Sequence, residues 1–338
     1  MTHAAYTGWR VWASVVTGIA CAVLAMSAVA QEWRPSKNVE FIVNSGAGGA
    51  GDRSVRVPQR LLQNVPGMPS ITVVNKPGGG GNLAYTYLAQ HEKDAHFVCN
   101  LSAGLLTNEI VGVSKLSYRD LTPLNILMRE YIAVWTHGAS PLNSGRDVIT
   151  RLKKDPASLS FGFATAAGNQ NHIVIGMIAK AAGIDPKQIK TVIFASGGTG
   201  MTAALGGHVD VWVGTTGGAL QHMRGSRARV LGISALQRQE GGLEHVPTLK
   251  EQGIDAEYYA WRGFIAPRGI SPAQVAYWDQ AFARMVKSDE WKKELSDNGW
   301  ADGYTGAAEI RRRLDTEFTL LGGMLSELGL TGRGAKAN

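Results

Sequence analysis

The chain has 338 residues, of which 42 are glycine, 44% are hydrophobic and 18% are charged, with a formal net charge of +7. That length suits two domains and that apolar share fills a sizeable core, so disorder, collagen, coiled coil and a polytopic membrane protein are poorly supported. With 2 cysteines a disulfide scaffold is excluded, and glycine far above its usual share of about 7% asks for a structural reason.

In chain order the first segment is an address. Val11 to Ala30 is an uncharged, largely apolar run that follows Arg10 and closes on Ala28-Val29-Ala30. It reads as a secretory signal peptide cleaved after Ala30, which makes Gln31 the first mature residue and places the protein in the periplasm. The same run is long enough to be a retained membrane anchor. A lipoprotein reading through Cys21 is weaker, because Gly18 occupies the position where a lipobox wants a bulky aliphatic. Cleavage also removes Cys21, so Cys99, in the strand-like run HFVCNL, reads as a buried free thiol.

The mature chain repeats a strand, a glycine-rich turn and a helix. Val39–Asn44 is a β-branched run ending in Ser45-Gly46-Ala47-Gly48-Gly49-Ala50-Gly51-Asp52, and a helical pattern follows with Val55, Val57, Leu61 and Leu62 as apolar positions. Ile71–Val74 is a second strand, broken by Asn75-Lys76-Pro77 and Gly78 to Gly81; Asn82 then suits the N-cap of a helix over Leu83–Gln90. His96–Leu101 and Tyr131–Trp135 are further strands. The alternation predicts an α/β fold with a parallel sheet and helices on both faces.

The pattern then restarts. Helices are expected over Asp147–Lys154, Asn171–Ala182 and Met201–Leu205, and strands over Leu159–Ala164, Thr191–Phe194, Val209–Gly214, Val230–Ser234 and Trp261–Ala266. Helices follow over Pro272–Lys287, Glu290–Asn298 and Ala307–Glu327, and the tail 331–338 lacks apolar periodicity and is expected to be disordered. Two lobes are expected, 31–135 plus 262–330 and 136–261, joined by two crossing segments that form a hinge.

The glycine loops carry the chemistry. Gly46 to Gly51 matches G-x-G-x-x-G between a strand and a helix, the dinucleotide fingerprint. That reading requires an acidic residue at the end of the second strand, where this chain has Asn75-Lys76-Pro77. The physics of the loop survives without the nucleotide. The first turn of a helix has orphan N–H donors and a partial positive charge, and glycine lets a ligand approach them. Gly46–Asp52, Ala166–Asn171 and Ser196–Gly200 are candidates, each of which alone could be an ordinary tight turn.

No catalytic residue, metal site or cofactor is expected. G-x-S-x-G, HExxH and C-x-x-C are missing, and the mature histidines never take ligand spacing on one helix. His172 opens a helix and either touches ligand or packs. Arg311-Arg312-Arg313 reads as a solvated face, so no nucleic-acid partner is expected.

Several separate motifs now converge. Trp33–Val43 with Ala47–Asp52, Asn75–Asn82, Gly168–His172, Phe194–Asp210, Val246–Gly253 and Trp261–Pro267 together resemble the Bug-type extracytoplasmic solute-binding receptors of tripartite tricarboxylate transporters, over nearly the whole mature chain. The resemblance implies a two-lobed periplasmic-binding-protein fold (type II, flytrap-like). It also implies a monomer that traps a small carboxylate and delivers it to membrane permease subunits, without catalysis. The contacts it implies are Ala47, Gly48, Gly49 and Ser102 from the first lobe, and Thr165, Asn169, Gln170, His172, Ser196, Gly197 and Thr215 from the second. Asp52 matches the family's loop aspartate and suits a capping role. Ala47 replaces a common proline, Asn169 and Gln170 stand where small hydroxyl residues are usual, Ala195 replaces a frequent lysine, and Thr199 an often acidic or proline position. Arg53, Arg56 and Arg262 are not placed by the sequence. An exported sensor presenting its ligand to a signalling partner is the alternative in the same fold, and a hydrolase acting through Ser196 is the enzyme alternative.

Overall fold

The computed structural model describes residues 33–223 and 227–331. The expected signal peptide, and the expected tail beyond Thr331, lie outside the described residues.

The first lobe begins with β1 (Val39–Val43), whose run VEFIV is almost wholly buried. Helix α1 (Ala50–Gln63) follows, burying Val55, Pro58 and Leu62 while Arg56 and Arg60 stay exposed, the spacing of an amphipathic helix. Next come β2 (Ile71–Asn75), α2 (Asn82–Ala89), β3 (Phe97–Ser102) and α3 (Ala103–Ile110). The long β4 (Thr122–His137) leads into the second lobe. There α4 (Gly145–Lys154), β5 (Ser160–Ala164), α5 (Gln170–Ala181), β6 (Lys190–Phe194), α6 (Gly197–Leu205), β7 (Val211–Thr215), α7 (Thr216–Met223) and β8 (Ala228–Ile233) succeed one another. The chain returns through β9 (Tyr259–Ala266) and ends with α8 (Pro272–Met285), α9 (Asp289–Asn298), β10 (Trp300–Thr305) and α10 (Ile310–Glu327).

Strand pairing shows how the lobes join. β1 lies between β2 and β3, parallel to both, and β5 lies between β6 and β7, again parallel. β4 pairs with β9 from Thr122–Ala266 through Tyr131–Tyr259, and from Ile132 onward with β7 and β8. The fold is therefore two-lobed, as expected, but the sheet is mixed where the alternation predicted a parallel one. The ladders of β4 with β7, β8, β9 and β10, and of β3 with β9, are antiparallel. The cause is direction: β4 runs out of the first lobe while β9 runs back into it, so neighbours across the junction point opposite ways.

Some elements were hidden from pattern reading. β10 (WADGYT) has one buried anchor, Trp300, and no β-branched run. Helices α3 and α7 start directly from the ends of β3 and β7, with no turn residues between to announce them. Asn82 is the first residue of α2 rather than its cap; Gly81, in a left-handed conformation, takes that place.

Phe41 of β1, Phe264 of β9 and Phe282 of α8 form a ring cluster, with Phe264 and Phe282 stacked at 4.8 Å. Beside it lies an ion pair. Arg262 on β9 donates through Nε to Glu130 of β4 at 2.9 Å, and Trp300 of β10 donates to the other carboxylate oxygen at 2.8 Å. Glu130 is fully buried and Arg262 nearly so, so neither charge can turn to water for compensation. Removing one member of a buried pair strands the other. Glu130→Ala is expected to lower unfolding free energy by about 3–5 kcal/mol, read as a fall in the guanidinium midpoint; an unchanged midpoint would show that the pair does not hold these strands.

Candidate functional site

The loop after β1 is fixed from its far side. Gly48 has φ +77°, in the left-handed region that glycine adopts freely. Its N–H donates to the Asp52 carboxylate at 3.0 Å, and the same carboxylate accepts from Arg56 Nε at 2.9 Å and Asn75 Nδ2 at 2.9 Å. Burial pushes the Asp52 carboxyl up, but these donors outweigh it and hold the group below its ordinary value. Asp52 thus ties the glycine loop to the end of β2.

Two strand ends position the rest of the first lobe. Asn44 and Asn100 exchange hydrogen bonds, the Asn44 N–H donating to Asn100 Oδ1 at 2.8 Å and Asn100 Nδ2 to Asn44 Oδ1 at 3.0 Å. Asn44 Nδ2 also donates to Tyr85 Oη at 2.7 Å and to Ser102 Oγ at 3.3 Å. This buried network fixes Ser102, the residue that opens α3.

In the second lobe the caps are explicit. Asn169 Oδ1 accepts from the N–H groups of Asn171 and His172, and its Nδ2 donates to Thr165 Oγ1 at 2.9 Å. Thr165 itself has φ +80°, a strained conformation for a β-branched residue that its surroundings must hold. Ser196 Oγ accepts from the Thr199 N–H at the start of α6. These caps leave the N–H groups of Ala50, Gly51, Gln170 and Gly197 with no acceptor among the described residues.

All four residues line one partly open cavity of about 80 Å³ between the lobes. Roughly 10–15 Å³ of such space holds one water, so the cavity takes several waters or one small solute. Among the expected contacts, Gly49, Ser102, Thr165, Asn169, Gln170, Gly197 and Thr215 line it. Ala47, Gly48, Asp52, His172 and Ser196 do not; Ala47 and Gly48 are exposed, while Asp52, His172 and Ser196 are hydrogen-bonded within their own loops. The Gln170 side chain makes no hydrogen bond with described residues although it is nearly buried. Trp212, buried against Phe194, supplies an apolar wall.

The lobes meet at glycine. A Cβ on Gly46 would stand 2.9 Å from Ser196 Cβ, and one on Gly49 would stand 3.5 Å from the Gly197 nitrogen. At Gly46 the approach leaves no room for a side chain, whereas at Gly49 it is ordinary contact with the backbone of Gly197.

Sequence reasoning left two lining residues unplaced, Arg53 and Arg262. Arg262 is paired with Glu130. Arg53 is not: its Nε is buried without a partner, and its Nη1 reaches only the Gly48 carbonyl, at 3.5 Å. Burial presses the Arg53 guanidinium below its ordinary value, although arginine remains a cation at neutral pH. The available signal was position, since a cation in the first turn of a helix opposes the helix dipole.

The model of the "tripartite tricarboxylate transporter family receptor" matches residues 56–330. BugT of Bordetella pertussis is 24% identical over 321 residues, covering 93% of this chain and 96% of BugT. Among solved structures, an R. palustris protein with adipate superposes with a TM-score of 0.82 at 22% identity, covering 88% of this chain and 99% of that one. MatC from Rhodopseudomonas palustris with bound malate gives 0.78 at 22% identity, covering 86% and 100%. These likenesses establish the periplasmic-binding-protein fold.

His172 generates a pH test. Its ring lies 5.1 Å from Phe163, nearly parallel to it, and its Nδ1 accepts the Gly168 N–H at 3.0 Å. Burial pushes its pKa from 6.5 down to about 4. The unfolded chain then takes up a proton that the folded one refuses, so stability is full above pH 6.5 and falls as pH drops toward about 4. The loss should approach about 3 kcal/mol. Urea midpoints measured across this range should show that slope, and His172→Gln, which keeps an acceptor, should flatten it. An equal slope in the variant would assign it to other groups.

Proposed function

The chain belongs to the tripartite tricarboxylate transporter receptor family, and from that premise we propose that it captures a small carboxylate between its lobes and delivers it to the membrane subunits of such a transporter. It is a solute-binding protein rather than an enzyme, as the family is one of receptors. The observation that carries the ligand class is the convergence of unclaimed N–H groups from α1, α5 and α6, with a guanidinium, on one cavity. Such groups suit an anion with planar oxygens, and the neighbours with malate and adipate hold carboxylates. On this reading Gly49, Ser102, Thr165, Asn169, Gln170, Gly197 and Thr215 contact the ligand directly, while Ala47, Gly48, Asp52, His172 and Ser196 shape the loops. The protein works as a periplasmic monomer, its signal peptide removed after Ala30.

Magnitudes support backbone capture. A hydrogen bond to a charged group contributes about 1.5–3 kcal/mol, and a helix end about 0.3–1 kcal/mol more. Micromolar affinity needs about 8 kcal/mol net, so four or five such bonds with two helix ends reach it before ordering terms. Those bonds come from both lobes, so the ligand favours closure by its differential contacts. We place the hinge at the two crossings, with lobes 31–135 plus 262–330 and 136–261; the change of partner along β4 at Tyr131 and Ile132 supports the first crossing.

A thermal-shift panel of mono-, di- and tricarboxylates tests the ligand class. A ligand at about a hundred times its Kd adds about 2.7 kcal/mol, which should raise Tm by several degrees for a chain of this size. Silence from every carboxylate at millimolar concentration would sink the proposal. Closure is tested separately by Gly46→Val, whose side chain has no room beside Ser196. Binding should weaken at least tenfold, and the ligand-induced fall in radius of gyration by X-ray scattering should vanish, with ligand-free stability unchanged.

A further inference from the structure

Arg53 sits where a helix least favours a cation. It lies within the first turn of α1, where the positive end of the helix dipole repels it. The nearby acids are already engaged: Asp52 with Gly48, Arg56 and Asn75, and Glu130 with Arg262 and Trp300. Arg53 therefore gains only longer-range attraction from Glu130 and Asp52, and a bound anion would supply the direct partner that a half-buried cation lacks. Arg53 lines the same cavity as the unclaimed N–H groups. The N–H groups of Ala50 and Gly51, in the first turn of α1, point along the helix axis out of its N-terminus. The Arg53 side chain leaves the flank of the helix and ends at α7, its Nη2 lying 3.7 Å from where a Cβ on Gly217 would stand.

We infer that Arg53 is a specificity-determining residue of this site: its guanidinium takes a second anionic group of the ligand, the glycine-loop amides taking the first. The inference rests on the carboxylate-capture reading. The charge of Arg262 is offset by Glu130, which accepts from its Nε, so of the two guanidinium groups that line the cavity Arg53 is the one without an ion pair among the described residues. The charge also bridges the lobes, since it belongs to α1 and reaches α7.

The test is isothermal titration of wild type, Arg53→Gln and Arg53→Lys with straight-chain mono- and dicarboxylates matched in length, of about three to six carbons. Wild type should prefer the dicarboxylate of a bound pair by at least about tenfold, the value of one charge-assisted hydrogen bond. Arg53→Gln should lose about ten- to a hundredfold for the dicarboxylate alone, bringing the pair level, and Arg53→Lys should keep most of the preference. The ligand-free midpoint of Arg53→Gln should not fall, because the change removes an unpaired cation. A preference that survives in Arg53→Gln, equal losses on both members of a pair, or no preference in wild type would each overturn the assignment. If no carboxylate binds wild type at millimolar concentration, the carboxylate reading itself fails, and that result is distinct from binding that ignores Arg53.

Discussion

The Glu130–Arg262 pair governs both the architecture and the electrostatics of this molecule. It joins β4 to β9, the strands by which the chain leaves and re-enters the first lobe, and the Trp300 indole extends the tie to β10. A buried ion pair is weak evidence for net stability, because desolvation offsets much of the Coulomb gain. Its consequence here is positional. With Arg262 neutralised by Glu130, a cavity lined by two guanidinium groups behaves as though it held one. On the carboxylate-capture reading, pairing at the lobe junction sets the charge that a solute must match.

A second constraint is steric. Backbone N–H groups can serve a ligand only where no side chain stands between them and it, and two lobes can share a ligand only where their backbones meet closely. Gly46 and Gly49 against Ser196 and Gly197 satisfy both demands. The arrangement has a conformational consequence, since glycine loses more freedom on ordering than any other residue. The loop is held all the same, because the Asp52 carboxylate gathers Gly48, Arg56 and Asn75 from the loop, the helix and the next strand. The charge of Asp52 is consumed in that work, which keeps a carboxylate out of an anion site while leaving it one residue from Arg53.

The strand–glycine–helix repeat, the two lobes and the glycine-rich loops that line the cavity were legible because each rests on local pattern: β-branched runs and glycine at the strand-to-helix turns. What escaped depends on pairing across the chain. The antiparallel ladders of β4 follow from the direction in which β9 returns, and β10 is a strand chiefly because it has β4 to pair with. Local pattern likewise could not separate lining from bracing: His172 opens α5 as expected, yet its ring packs on Phe163 rather than facing the cavity. Arg53 was the opposite case. A cation in the first turn of α1 contradicts local preference, and such conflicts concentrate at functional sites.

Neither lobe is a complete site. The first contributes Arg53 and the α1 amides, the second Gln170, Thr215 and the α5 and α6 amides. A solute held by one lobe alone would satisfy about half of these donors and leave its remaining charge facing water. The free energy gained on closing is therefore the part that distinguishes closed from open, and only that part can shift the population. Moving such an equilibrium from about 1:99 to 99:1 takes about 5.5 kcal/mol of differential binding, which two to four charge-assisted hydrogen bonds supply. On the carboxylate-capture reading, dividing the donors between the lobes would turn ordinary binding energy into a conformational signal for the proposed membrane partner.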